Sequence, residues 1–113
     1  MSSESTDEDL FQADHCANVL KALGEPLRLR IIALLRQGEM TVGDIAEFLG
    51  VELVIASHHL QILKHAQLVD PHREGRYVYY QLKVDMLKNV RGKSAQILDL
   101  GCCKLEVPCE NER

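Results

Sequence analysis

The side chains best equipped for chemistry in this 113-residue chain are four cysteines: Cys16, Cys102, Cys103 and Cys109. Three of them fall within eight residues in a CCx5C pattern. Thiolates are soft ligands and select soft or thiophilic ions. Arsenite and antimonite favour three thiolates in a pyramidal arrangement, which Cys102, Cys103 and Cys109 supply, with Cys16 as a further donor. Zinc or cadmium would use the same three sulfurs plus Cys16. Thiol redox or persulfide chemistry is another reading: Lys104 would raise the reactivity of exposed thiols, against the opposing effect of the acids Glu106 and Glu110, and a vicinal Cys102–Cys103 disulfide would be a labile switch. The plain structural reading makes Cys16 a small core residue and gives the other three no sensing role. No CxxC spacing occurs, so neither a thioredoxin-type site nor a zinc knuckle is indicated.

The histidines point elsewhere. His58 and His59 are neighbours that a helix turns about 100° apart, too far to chelate one ion easily. On a helical wheel His59 joins Ile55, Ala56, Leu60, Leu63 and Ala66 on the apolar side, where a satisfied core histidine is expected. Ser57, His58, Gln61, Lys64 and His65 gather opposite. Their hydroxyl, imidazole, amide and ammonium groups suit base edges and phosphates in a major groove. A solvated helix face is the bland alternative. Arg73 and Arg76 favour DNA, since they flank a hairpin tip and can clamp phosphates. Leu53 and Val54 keep open a module that binds protein instead, and strong salt dependence of DNA binding would separate the two. A cysteine-dependent enzyme would need a pocket and a nucleophile with a fixed base. The cysteines and histidines lie in different parts of the chain, so no enzyme is expected.

These residues need elements to position them. A first helix is predicted from about Asp9 to Leu23, ended by Gly24. Pro26 suits the first turn of a second helix, in which Leu27, Ile31, Leu34 and Leu35 form an amphipathic stripe stopped near Gly38. Thr41 and Asp44 have the spacing of an N-cap and its third residue, opening a third helix that Gly50 closes. A fourth helix covers roughly Glu52 to His65, and the pair around Gly50 reads as a helix-turn-helix. Val78, Tyr80 and Leu82 then alternate with Tyr77, Tyr79 and Gln81, giving a β-hairpin with its turn at Glu74–Gly75. A fifth helix is expected from Val84 to Leu98, weakened by Gly92, followed by a tail from Asp99 to Arg113. The fold class is mainly α with a β-hairpin, a winged helix-turn-helix. Residues 1–9 form an acidic N-terminal tail, 10–98 the winged-helix DNA-binding and dimerisation domain, and 99–113 the cysteine-containing tail.

Composition agrees with a single globular domain: apolar residues make up 46% and charged residues 27%. With 4% aromatics, a nucleic-acid reader built on stacking is not expected. The net charge of −4 argues against a general polyanion binder. The acidity sits at the ends, however, and without residues 1–9 and 101–113 the chain holds 11 basic and 10 acidic side chains. No apolar run reaches bilayer length and no signal-peptide pattern opens the chain, so a cytoplasmic location with no membrane partner is expected.

The segments from Leu20 to Ile32, Val42 to Gly50, Ala56 to Lys64 and Arg73 to Tyr80 resemble the ArsR/SmtB family of bacterial metal- and stress-responsive repressors. The resemblance covers roughly residues 10–90, and Ser57-His58-His59-Leu60 and Arg73 to Tyr80 are its most specific parts. It implies a homodimer joined through first and last helices, bound to a near-palindromic double-stranded operator and released by an effector. No cofactor is required; As(III), Sb(III) or another thiophilic ion is the expected effector. Some arsenic-responsive members look similar at a C-terminal vicinal cysteine pair. Three departures matter. Met40, Thr41, Val42 and Gly43 stand where the family carries a cysteine pair, and no histidine follows His72, which removes the family's zinc site on the last helix. Glu52, Leu53, Val54 and Ile55 replace polar residues ahead of Ser57, so base readout there would either be weaker or use a thymine methyl contact.

Overall fold

The computed structural model describes residues 12–90 and 95–108. Helix α1 spans Ala13–Leu23 and buries Cys16, Val19, Ala22 and Leu23 along one stripe. Helix α2 spans Pro26–Leu35, with Pro26 in its first turn. Glu25 is its N-cap, accepting from the backbone N–H groups of Leu27 (2.7 Å) and Arg28 (3.2 Å). That cap satisfies two donors a helix start leaves without partners.

Strand β1 is Met40–Thr41 and helix α3 is Val42–Leu49. Thr41 Oγ1 accepts from the Asp44 N–H at 3.1 Å, the cap its spacing predicts. Gly50, at φ 69°, closes α3 in the left-handed region. Helix α4 runs Leu53–His65 and buries Ala56, Leu60 and Leu63. It ends differently. Gln67 takes the left-handed conformation at φ 64°, and the Leu68 N–H closes on the Leu63 carbonyl at 3.0 Å.

Strands β2 (Val69–Glu74) and β3 (Tyr77–Leu82) form the hairpin, and β1 adds to the far side of β3, giving the antiparallel order β1-β3-β2. Glu74 pairs with Tyr77, so the turn is Gly75–Arg76, one residue beyond the expected position. Gly75 sits at φ 64°, which glycine adopts without strain. Tyr80 is buried while Tyr77 is exposed, as the alternation predicts.

The expected fifth helix is not found among the described residues. Residues Leu87–Asn89 form β4, Ala95–Asp99 form β5 and Lys104–Pro108 form β6, an antiparallel sheet in the order β4-β5-β6. The region expected as a tail therefore holds a strand that pairs across residues 98 and 99: Leu98 faces Leu105 and Asp99 faces Lys104. The physical reason lies outside the stretch read as helix. Lys104-Leu105-Glu106-Val107 alternates polar with apolar residues and offers β5 a ladder of backbone partners. Gly92 disfavours the competing helix.

Helices and sheets share one core, in which Ile31, Ile45, Ala56, Leu60, Leu63 and Val69 are fully buried and Tyr80, Met86 and Leu98 nearly so. Arg36, just past α2, donates to the Gln96 side chain (2.7 and 3.0 Å) and to the Pro108 carbonyl (2.6 Å), which pins β5 and β6 to the helical body. No single helix is long and apolar enough to cross a membrane.

Candidate DNA-reading head and cysteine cluster

Helices α3 and α4 bend by 111° at the break between them, within the range of a helix-turn-helix. Leu60 and Leu63 anchor α4 in the core, which leaves His58, Gln61, Lys64 and His65 exposed and Ser57 half-buried on the outward side. His65 Nδ1 lies 2.9 Å from the Gln61 carbonyl, a contact it makes as an N–H donor. Gln61 Nε2 stands 3.5 Å from the Tyr80 hydroxyl, so the hairpin backs this helix.

Ile55 was expected on the core side but is 41% exposed, and Leu53 and Val54 beside it are 59% and 69% exposed. The first three residues of α4 are thus apolar and open, and burial begins at Ala56. His59 is half-buried and partnered: its Nδ1 lies 3.0 Å from Arg28 Nη1. Arginine can only donate, so His59 Nδ1 is the acceptor in this contact. Arg28 also donates through Nε to the Ala22 carbonyl at 2.5 Å. One guanidinium thus ties the end of α1 to the reading helix. Nothing in the residue spacing announced this link.

At the wing, Arg73 and Arg76 are exposed on either side of the turn, with Glu74 between them. Lys64 on α4, with Arg73 and Arg76 at the wing beside it, supplies exposed positive charge. This arrangement suits phosphate contact flanking a groove.

The sulfur chemistry lies at the turn between β5 and β6. Cys16, 1% exposed on α1, is disulfide-bonded to Cys102, with Cα atoms 5.6 Å apart. Cys103 is a half-buried free thiol, its Sγ 3.6 Å from that of Cys16 and 3.9 Å from that of Cys102. The three sulfurs lie within 4.8 Å of one another. The structure therefore brings Cys16 to the pair Cys102 and Cys103; Cys109 lies outside the described residues. Two ends of the chain, 86 residues apart, meet at this cluster.

The turn that carries the pair is well organised. Asp99 Oδ1 accepts from the Gly101 N–H at 3.0 Å, Lys88 reaches Asp99 Oδ2 at 3.3 Å, and the Leu100 N–H meets the Cys103 carbonyl at 2.8 Å. The Gly101 N–H, then Lys88, hold the Asp99 carboxyl below its ordinary pKa. Gly101 takes φ 92°, a left-handed conformation that favours glycine. In reduced form the three sulfurs make a compact soft donor set. In oxidised form two of them lock α1 to the second sheet.

Residues 25–70 match the family described as bacterial regulatory protein, arsR family. The chain is 44% identical over 72 residues to the transcriptional repressor SdpR of Bacillus subtilis (strain 168), a match covering 64% of this chain and 80% of that protein. It is 34% identical over 92 residues to the cadmium resistance transcriptional regulatory protein CadC of Listeria innocua, covering 80% of this chain and 71% of that protein. Among solved structures it is similar to the homodimeric winged helix-turn-helix DNA-binding domain of Mb0332 from Mycobacterium bovis. That match has a TM-score of 0.60 and 46% identity, covering 62% of this chain and 65% of that one. The matched residues include the helix-turn-helix, the part whose exposed face and flanking wing suit DNA, and give no support to an enzyme. The chain belongs to the ArsR/SmtB-type family of winged helix-turn-helix transcriptional repressors.

Proposed function

We propose that the chain binds operator DNA as a homodimer and is released when a thiophilic effector, arsenite or antimonite foremost, binds the sulfurs of Cys16, Cys102 and Cys103. The observation that carries this reading is the convergence of three sulfurs from α1 and the β5–β6 turn within 4.8 Å. Cys109, seven residues beyond Cys102 in sequence, is a further donor in the same reading. As(OH)3 reacting with three thiols forms three As–S bonds and releases three waters, so the effector needs the Cys16–Cys102 disulfide reduced first. A relative named for cadmium resistance supports a thiophilic metal as the effector class.

In this reading Ser57, His58, Gln61 and Lys64 face bases and phosphates, and Arg73 and Arg76 hold phosphates beside the groove. A homodimeric neighbour supports a two-fold assembly on a near-palindromic operator. In this reading the contact does not use a last helix, since the described residues after the hairpin form strands. Coupling runs through α1. Drawing Cys16 towards Cys102 and Cys103 shifts α1, and Arg28 transmits the shift to His59 on α4. By linkage, DNA must weaken effector binding by the same factor.

The disulfide favours a second reading, thiol redox. Two thiols and hydrogen peroxide give the Cys16–Cys102 disulfide and two waters, and the same α1 displacement follows. Fluorescence anisotropy on DNA from the chain's own promoter separates the readings. Arsenite, cadmium, zinc, peroxide and a persulfide donor are added in turn to reduced protein. Release by arsenite that disappears in C16S and in the C102S/C103S double variant, with operator affinity intact, supports the first reading. Release by peroxide or persulfide alone supports the second. Release by arsenite that survives both variants removes this cluster from the mechanism.

A further inference from the structure

A second set of ligating side chains lies on the wing, away from the sulfurs. Glu39 precedes β1, and His72 and Glu74 belong to β2. The pairing of His72 with Tyr79 and Glu74 with Tyr77 puts both β2 residues on one face of the sheet. Glu39 reaches that face and places Oε1 3.3 Å from His72 Nδ1. One ligand atom from each of the three lies within 4.8 Å of the others. The His72 ring stacks on Tyr79, 19° from parallel with centroids 5.6 Å apart, which orients its nitrogens.

We propose that Glu39, His72 and Glu74 bind a divalent cation of the Zn(II) or Mn(II) class, and that this ion strengthens operator binding. Bonds of about 2.0–2.1 Å around a tetrahedral ion set ligands roughly 3.3 Å apart, the separation already present between Glu39 and His72. Imidazole with two carboxylates suits borderline and hard ions rather than thiophilic ones. The wing site and the cysteine cluster therefore select different ions. The charge arrangement agrees. Among the described residues neither Glu39 nor Glu74 is ion-paired with lysine or arginine, while the nearby Asp70 has Lys83 at 2.9 Å. A divalent ion would neutralise both carboxylates next to Arg73 and Arg76, lowering the repulsion that DNA phosphates meet at the wing.

Mn(II) is the first probe, because it has little affinity for thiolates and can be used on the unaltered, reduced chain. The expected result is paramagnetic broadening of the Tyr79 ring and Glu74 backbone resonances at sub-stoichiometric Mn(II), absent in H72Q. Chelator competition with Zn(II), on protein with all four cysteines changed to serine, should show one ion per chain, bound more than about tenfold more weakly after H72Q or E39Q. If the serine variant does not fold, the Mn(II) measurement alone decides. Operator affinity should rise with Mn(II) in the unaltered chain and stay flat in H72Q. Broadening that persists in H72Q, or that is spread over unrelated acidic residues, overturns the site. An operator response equal in both proteins overturns the link to DNA.

Discussion

Reducing the Cys16–Cys102 disulfide should cost this chain a large part of its stability. The bond closes a sequence separation of 86 residues, almost the whole folded body. For a loop of that length the chain-entropy account gives roughly 4.6 kcal/mol at 25 °C, and measured values for disulfides usually fall at about 2–4 kcal/mol. In a domain of this size 1 kcal/mol moves Tm by about 4 °C, so reduction should lower Tm by roughly 8–16 °C. The assay is thermal and guanidinium unfolding followed by circular dichroism, on oxidised protein and on protein held in a non-thiol reductant. C16S and C102S should melt near the reduced wild type with or without reductant. C103S keeps the bonded pair and should retain the full difference. An oxidised wild type that melts within about 2 °C of C16S would show that the bond does not close this loop in solution. The coupling of α1 to the β5–β6 turn would then fall with it.

Other expectations follow from single residues. Gln67→Gly should stabilise the fold by about 1 kcal/mol, because glycine carries no penalty in the left-handed conformation that ends α4; equal or lower stability in denaturant melts would contradict this. Asp99 has its pKa lowered in the fold by the Gly101 N–H and by Lys88. Its contribution is therefore present above the ordinary aspartate pKa and lost as pH falls through the lower folded value. Asp99→Asn should flatten that part of the acid-side stability profile measured by melts from neutral pH downward, and an unchanged profile would count against the turn geometry. Arg73→Ala and Arg76→Ala should each reduce the slope of log affinity against log salt by about 1; an unaltered slope for both would take the wing off the phosphates. Thr41→Ala should cost about 1 kcal/mol through loss of the Asp44 cap, read as a lower denaturant midpoint.

Local signals in the sequence determined much of the reading head. Pro26, the Thr41–Asp44 spacing, Gly50 and the alternation from Tyr77 to Leu82 each act within a few residues, and all four are found where their chemistry places them. The outward residues of α4 follow from helical period once the core side is known. Ile55 escaped because a period says which residues share a face but not where the supporting body ends. The end of α4 escaped because Gln67 does work that glycine usually marks. The stretch after the hairpin was misread because helix and strand compete closely there, and a partner strand from Lys104 to Pro108 decided between them. Pairing of that kind depends on residues remote in sequence. So does the cysteine cluster: the residue types announced thiol chemistry, but only the fold of β5 and β6 against α1 brought Cys16 to Cys102 and Cys103. Residue identity determined which chemistry was available. Tertiary structure decided which of those groups stand close enough to act together, because distance in space is set by the packed core and not by distance along the chain.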